Sequence, residues 1–233
     1  MDLSISIVSY NAREFLQPLL DSIYAHKGSV SFEVLVTDNA STDATPSIAC
    51  ATGARVVPEP FRQIARSRNR GASEAKGRYL IFVDADTRVS PALVGAAVEA
   101  LASGKVVGGG SLLKFEGMGP FLRRVIAPWN FVSRKLDLAA GSFLFCLRKA
   151  WEGTGGFDER YFASEEIWFS RALKRWGRAR GLSFVILEKH PAETSARRLE
   201  GTAIFRFGLQ FLVLNLCPWL LRSRRACFLW YRR

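Results

Sequence analysis

Asp84 and Asp86, separated by Ala85, stand at the end of the most apolar run in the chain, Tyr79-Leu-Ile-Phe-Val-Asp84. Two carboxylates at that spacing offer hard oxygen ligands. Such ligands suit Mg2+ or Mn2+, ions that bridge protein carboxylates and substrate phosphates. The pair alone is a weak signal, because a turn that caps a strand uses the same residues. Two further polar clusters strengthen it. Ser9-Tyr10-Asn11 follows the apolar segment Leu3–Val8, and Asp38-Asn-Ala-Ser-Thr-Asp43 follows Phe32–Thr37. In an open parallel sheet, ligands gather where strands end. Between Asp43 and Asp84 lies a basic stretch with Arg62, Arg66, Arg68, Arg70, Lys76 and Arg78. One or two of these cations facing inward would meet a phosphate, and the rest read as solvated.

The elements that must position these residues follow from periodicity. Residues 3–9, 32–37, 54–57 and 78–84 read as strands, the last apolar on both faces. Phe15, Leu16, Leu19, Leu20 and Ile23 recur at helical spacing. Asn11 with Glu14 has the spacing of a capping box, and Pro18 predicts a break followed by a helix that restarts there. Thr45-Pro46 and Ser90-Pro91 open two more helices, and residues 61–76 form a basic one. After Gly108-Gly-Gly110 the pattern loosens. Residues 118–137 read as an aromatic and basic helix, 140–147 as a strand, 165–176 as an amphipathic helix and 184–187 as a last strand. Strands alternating with helices predict an α/β fold, a Rossmann-like, doubly wound, mostly parallel sheet.

Composition narrows the partners. The chain has 233 residues, 48% hydrophobic and 23% charged, with a formal net charge of +12; that excludes a disordered chain. Residues 1–60 hold three basic and seven acidic residues, so the positive charge lies downstream, and it points to an anionic partner. Four scattered cysteines form no C-x-x-C pair and imply a reducing compartment. Two histidines, His26 and His190, leave little for a histidine metal site. The first residues carry no signal-peptide pattern. Residues 207–221 carry no charge and are bordered by Arg206, Arg222, Arg224 and Arg225. Fifteen residues fall short of the roughly 18–20 that cross a bilayer. A membrane-associating helical tail with arginines on phosphate headgroups fits this pattern, and a buried C-terminal helix is the competing reading. The expectation is a protein on the cytoplasmic face of a membrane, peripheral or monotopic.

The dinucleotide fingerprint and the Walker A loop are both absent. As a set, however, Val8-Ser-Tyr-Asn11, Val36-Thr-Asp-Asn-Ala-Ser-Thr-Asp43, Ser67-Arg-Asn-Arg-Gly71 and Tyr79-Leu-Ile-Phe-Val-Asp-Ala-Asp86 resemble the motifs of family 2 glycosyltransferases. Gly155-Gly-Phe-Asp-Glu159 and Ser164-Glu-Glu-Ile-Trp-Phe169 resemble the acceptor-side motifs of that family. The resemblance covers about residues 3–190. It implies a GT-A fold and an inverting, metal-dependent transfer from a nucleotide-diphosphate sugar to a hydroxyl. It places Ser9, Tyr10, Asn11, Asp38, Arg68, Asn69, Asp84 and Ala85 at the donor, and Asp86 on Mg2+ or Mn2+. Glu166 stands where the family's general base is an aspartate, and Glu165 is the alternative. His190 is a further candidate contact to metal or phosphate, against a structural role before Pro191. Ser195-Ala-Arg-Arg198 is all that answers to the Q-x-x-R-W motif of processive enzymes, so a single transfer is implied, with Arg198 a candidate contact.

These readings divide the chain into residues 1–200, a catalytic domain, and 201–233, a basic tail. Within the domain, 1–110 is the nucleotide-binding half and 111–200 the acceptor-side half. The acceptor expected is a lipid-linked or cell-surface glycan precursor. Two other readings compete, a sugar-nucleotide pyrophosphorylase and a noncatalytic protein on anionic membrane or nucleic acid. The first lacks its glycine-rich loop, since Tyr10-Asn-Ala-Arg13 stands there. The second leaves three acidic clusters at strand ends without a purpose, and no nucleic-acid-binding module is present.

Overall fold

The computed structural model describes residues 1–26, 28, 30–117, 119–195 and 217–231. The first half alternates strand and helix: β1 (Leu3–Ser9), α1 (Arg13–Tyr24), β2 (Phe32–Asp38), α2 (Thr45–Ala51), β3 (Arg55–Pro58), α3 (Ile64–Glu74) and β4 (Tyr79–Asp84). Then come β5 (Thr87–Arg88), α4 (Pro91–Ala102), β6 (Val106–Phe115), α5 (Pro120–Leu136), β7 (Phe143–Leu147), α6 (Arg148–Thr154), α7 (Glu165–Arg178) and β8 (Ser183–Thr194). A 3-10 turn at Pro218–Arg222 and a short α8 (Phe228–Tyr231) complete the described chain.

Eight strands form one sheet in the order β3-β2-β1-β4-β7-β6-β8-β5. β1 pairs in parallel with both β2 and β4, and β6 with β8. β7 runs antiparallel to β4 and β6. The sheet is thus mixed but mostly parallel. Alternate strand residues feed two cores. On one face Leu3, Ile5, Ile7, Ile81 and Val83 meet α1 and α4. On the other, Leu80, Phe82, Leu144 and Cys146 meet α3, α6 and α7. Helices on both faces are what a parallel sheet requires, because each face must be covered.

Two expectations need correction, and one strand was not anticipated. First, α1 does not restart at Pro18; it runs unbroken through it. Proline there forfeits one backbone bond in the second turn, and burial of Leu16, Leu19, Leu20 and Ile23 outweighs that loss. Second, Asn11 is not the cap. Ala12 holds that position, and the neighbouring loop supplies the acceptors. The backbone N–H groups of Asn11, Ala12 and Arg13 donate to Ser41 Oγ (3.0 Å), Thr45 Oγ1 (2.8 Å) and Asp43 Oδ2 (3.3 Å). The strand without a sequence-based counterpart is β6, which contains the triple glycine. A Cβ at Gly108 would meet the Phe145 carbonyl, and one at Gly109 the Val185 carbonyl. Glycine here allows close approach to β7 and β8.

Of the expected tail, only 217–231 belongs to the described residues; Arg198 and most of 207–221 lie outside them. The described part packs against the domain. Phe162 N donates to the Leu221 carbonyl (2.7 Å), and Cys227 and Leu221 are buried with Tyr161 and Ala163. Among the described residues no helix is long and apolar enough to cross a membrane.

Candidate active site

Parallel pairing brings the carboxyl ends of β1, β2 and β4 to one rim. Ser9 lies opposite Asp38, and Val8 opposite Asp84. Because β7 runs the other way, its entry loop, residues 137–142, reaches the same rim. A cavity of about 810 Å3 opens there. Tyr10, Arg62, Arg68, Asp84, Ala85, Asp86, Glu165 and Glu166 all line it.

Arg68 is the hub. Its side chain is 3% exposed. It pairs with Glu165 at the start of α7, with Asp84 Oδ1 at the end of β4 (3.0 Å), and donates to the Gly141 carbonyl (3.1 Å). A Cβ at Gly141 would collide with the guanidinium. Burial works against the Arg68 charge, but Asp84, Glu165 and Glu166 outweigh it and push its pKa up. The Phe157 ring lies 5.3 Å beneath it, within the cluster of Phe82, Phe157 and Phe169. Removing one partner of such a buried pair strands the other, at a cost of about 3–5 kcal/mol.

The two glutamates occupy the first turn of α7, directly after Ser164, which holds a left-handed φ of 61°. A helix N-terminus favours the ionised carboxylate, yet dehydration prevails here. Burial raises the Glu165 pKa, with Arg68 opposing. Burial and the neighbouring Glu165 push Glu166 up to about 8. Glu166 makes no ion pair among the described residues and lines the cavity, and in its ionised form it can accept a proton. Glu165 is held on Arg68.

The remaining candidates fall into two groups. Asp38 does not itself line the cavity, although its neighbour Asn39 does. Asp38 Oδ2 accepts from Ser41 N (3.3 Å), while Oδ1 is buried and without a partner among the described residues. Ser9 lies beside it, donating to the Thr37 carbonyl (3.2 Å). Asn11, Asn69 and His190 are absent from the lining. Asn11 Oδ1 accepts from Thr42 N (2.8 Å). The Asn69 amide is spent on the Phe157 backbone, with Nδ2 donating to its carbonyl and Oδ1 accepting from its N–H (both 2.8 Å). It clamps α3 to the Gly155–Glu159 turn. Gly71 in the same motif lets α3 lie on the sheet, since a Cβ would strike Ser6 Oγ and Thr37 Oγ1. Of the basic stretch, Arg62 and Arg68 turn inward, and Arg66, Arg70 and Arg78 pair at the surface with Glu59, Glu74 and Asp2.

Sequence reading missed Trp230 and Tyr231, which line the cavity from the far end of the chain. Arg62 lies 3.8 Å over the Tyr10 ring and donates to the Tyr231 carbonyl (2.9 Å). No local signal could place residues so distant in sequence beside α3.

No three metal-ligating side chains gather among the described residues. A divalent ion held largely by a diphosphate and water needs only one or two carboxylates. Asp86, with Asp84 two residues away on the same rim, fits that donor set.

The family model of glycosyl transferase family 2 matches residues 4–149. A succinoglycan biosynthesis protein of Rhizobium meliloti is 33% identical over 99 residues, 39% of this chain and 27% of its own length. A mannosyltransferase of Pyrobaculum calidifontis, solved with GDP-Man and Mn2+, has a TM-score of 0.72 at 20% identity, covering 97% of this chain and 64% of its own. Glucosyl-3-phosphoglycerate synthase of Mycobacterium tuberculosis, solved with Mn2+, UDP and glucosyl-3-phosphoglycerate, has a TM-score of 0.62 at 19% identity, covering 93% of this chain and 80% of its own. The chain spans about a quarter of the length of the curated relatives it matches. The structural likenesses show the shared fold.

Proposed function

The chain belongs to glycosyl transferase family 2, and from that membership we propose that it moves one sugar from a nucleotide-diphosphate sugar to a hydroxyl, with inversion and with Mg2+ or Mn2+. The observation that carries this reading is the sharing of one cavity by Asp86 and Glu166, with Arg68 linking Asp84 to Glu165 between them.

The nucleotide takes the β1–β2 side, where Asn39, the neighbour of Asp38, reaches the cavity. Tyr10 and Asn39 border that side of the cavity. Asp86, supported by Asp84, would hold the ion, which when bound supplies positive charge against the departing diphosphate. Arg68 keeps the two carboxylate-bearing elements in register. Glu166 accepts the acceptor hydroxyl's proton as that oxygen bonds to the anomeric carbon and the bond to diphosphate breaks. Attack from the face opposite the leaving group inverts the centre. Glu165 is the poorer base, because its carboxylate is held by Arg68.

We place the protein at a membrane surface, on the cytoplasmic face, serving the synthesis of lipid-linked or cell-surface glycans. Support comes from the described part of the tail. Trp219 is 68% exposed and Phe228 40%, and Arg222, Arg224 and Arg225 are exposed beside them. Aromatic and arginine side chains together suit a headgroup layer.

A thermal-shift screen of nucleotide sugars with Mn2+ identifies the donor, since a bound ligand raises apparent stability by mass action. Asp86→Ala is expected to abolish metal-dependent nucleotide-diphosphate binding. Glu166→Gln is expected to keep that binding and lose turnover by at least ~100-fold. Full turnover in Glu166→Gln would remove Glu166 from the role of base.

A further inference from the structure

The cavity has two unlike walls. One is the charged rim already described. The other is built by α5 and the end of β6: Leu113, Val125, Ile126, Trp129, Val132 and Leu136. No charged side chain from these two elements enters the lining. The apolar wall is tied to the catalytic one. Asn130 fixes α5 to β6, accepting from Leu113 N (3.0 Å) and donating to its carbonyl (2.9 Å). At the other end of α5, Lys174 Nζ donates to the Leu136 carbonyl (2.5 Å) and Ala139 N donates to Ser170 Oγ (3.3 Å). Both acceptor and donor groups on that side belong to α7, the helix that begins with Glu165 and Glu166. An apolar trough therefore runs up to the proposed base. Val132 and Leu136 are exposed on α5, large side chains left partly in water beside a continuous cavity.

We infer that this trough is the acceptor subsite, and that it takes the hydrocarbon chain of a lipid acceptor whose hydroxyl-bearing end is presented to Glu166. The inference rests on the transferase reading and narrows its acceptor to molecules carrying an apolar chain. A free polysaccharide end would gain nothing from this wall. A donor nucleotide would not occupy it either, because the polar groups for ribose and diphosphate lie on the opposite side.

The test is a calorimetric titration of the full chain with hexyl, octyl and decyl β-glucoside, each below its micelle concentration. Burying a methylene is worth at most about fourfold in affinity. The affinity is expected to rise at least tenfold from hexyl to decyl. Val132→Glu and Leu136→Glu place a charge at the exposed mouth of the trough without emptying the core, and are expected to flatten that dependence. Binding that ignores chain length, or a chain-length dependence unchanged in both variants, overturns the inference. So does binding to phosphatidylglycerol vesicles through α5 with no binding of the monomeric glucosides. Mn2+-dependent binding of UDP and GDP is measured on the same samples. Its absence in the unmodified protein would sink the transferase reading, while loss of the chain-length dependence with nucleotide binding intact would sink the acceptor assignment alone.

Discussion

At Arg68 one guanidinium meets carboxylates from positions 84 and 165, and its burial makes both contacts costly to lose. Charge therefore flows outward from this residue. Glu165 is drawn to Arg68, and Glu166 then faces both dehydration and a neighbouring carboxyl group, which is why its pKa lies near 8. A base must be deprotonated to work, so kcat/KM should rise with pH through about that value. Glu165→Gln takes away the neighbouring negative group, so Glu166 should ionise more easily. The acid limb of the pH–rate profile is expected to move to lower pH, together with a lower thermal midpoint because Arg68 loses one of its buried partners. A profile that stays in place would show that Glu165 does not act on Glu166. The two residues interact strongly, so the profile reports the pair.

At the scale of elements, backbone approach decides more than side-chain chemistry. β6 holds three consecutive glycines between β7 and β8, each filling space that a Cβ would claim from a neighbour. Gly109→Ala should destabilise the protein by about 1–3 kcal/mol, read as a lower urea midpoint with an unchanged slope. An unaltered midpoint would mean that the sheet relaxes around the methyl group. The same glycines mark where the sequence misleads. A triple glycine has no apolar period, so periodicity gives no sign of the central strand that contains it. Strand ends at Ser9, Asp38 and Asp84 were legible, because their apolar runs are long and stop at polar residues. So was the amphipathic start of α7. Asn11 and Asn69 are donor-contact candidates on motif grounds alone, and the structure adds a loop-holding role for each. A motif does not reveal that an amide is spent on holding a loop, since its partners, Thr42 and Phe157, lie 31 and 88 residues away. Arg62 was one of six candidate cations, and only the packing of α8 singles it out.

For the molecule as a whole, two faces of one sheet carry separate cores, and the rim between them collects the polar groups. The carboxyl-terminal segment adds a third small core around Tyr161, Leu221 and Cys227. Its outer side presents Trp219 and Phe228 among arginines. Flotation with phosphatidylserine vesicles should carry the protein upward, and the bound fraction should fall as salt rises. Trp219→Ser with Phe228→Ser is expected to reduce that fraction severalfold while leaving the thermal midpoint nearly unchanged, because both side chains project into water. Equal flotation of the double variant would place the membrane contact elsewhere. The stacking of Arg62 on Tyr10, together with its bond to the Tyr231 carbonyl, has a mechanical corollary. A molecule that claimed that aromatic face would loosen the last helical turn, and a pull on that turn would be felt at a tyrosine more than two hundred residues earlier.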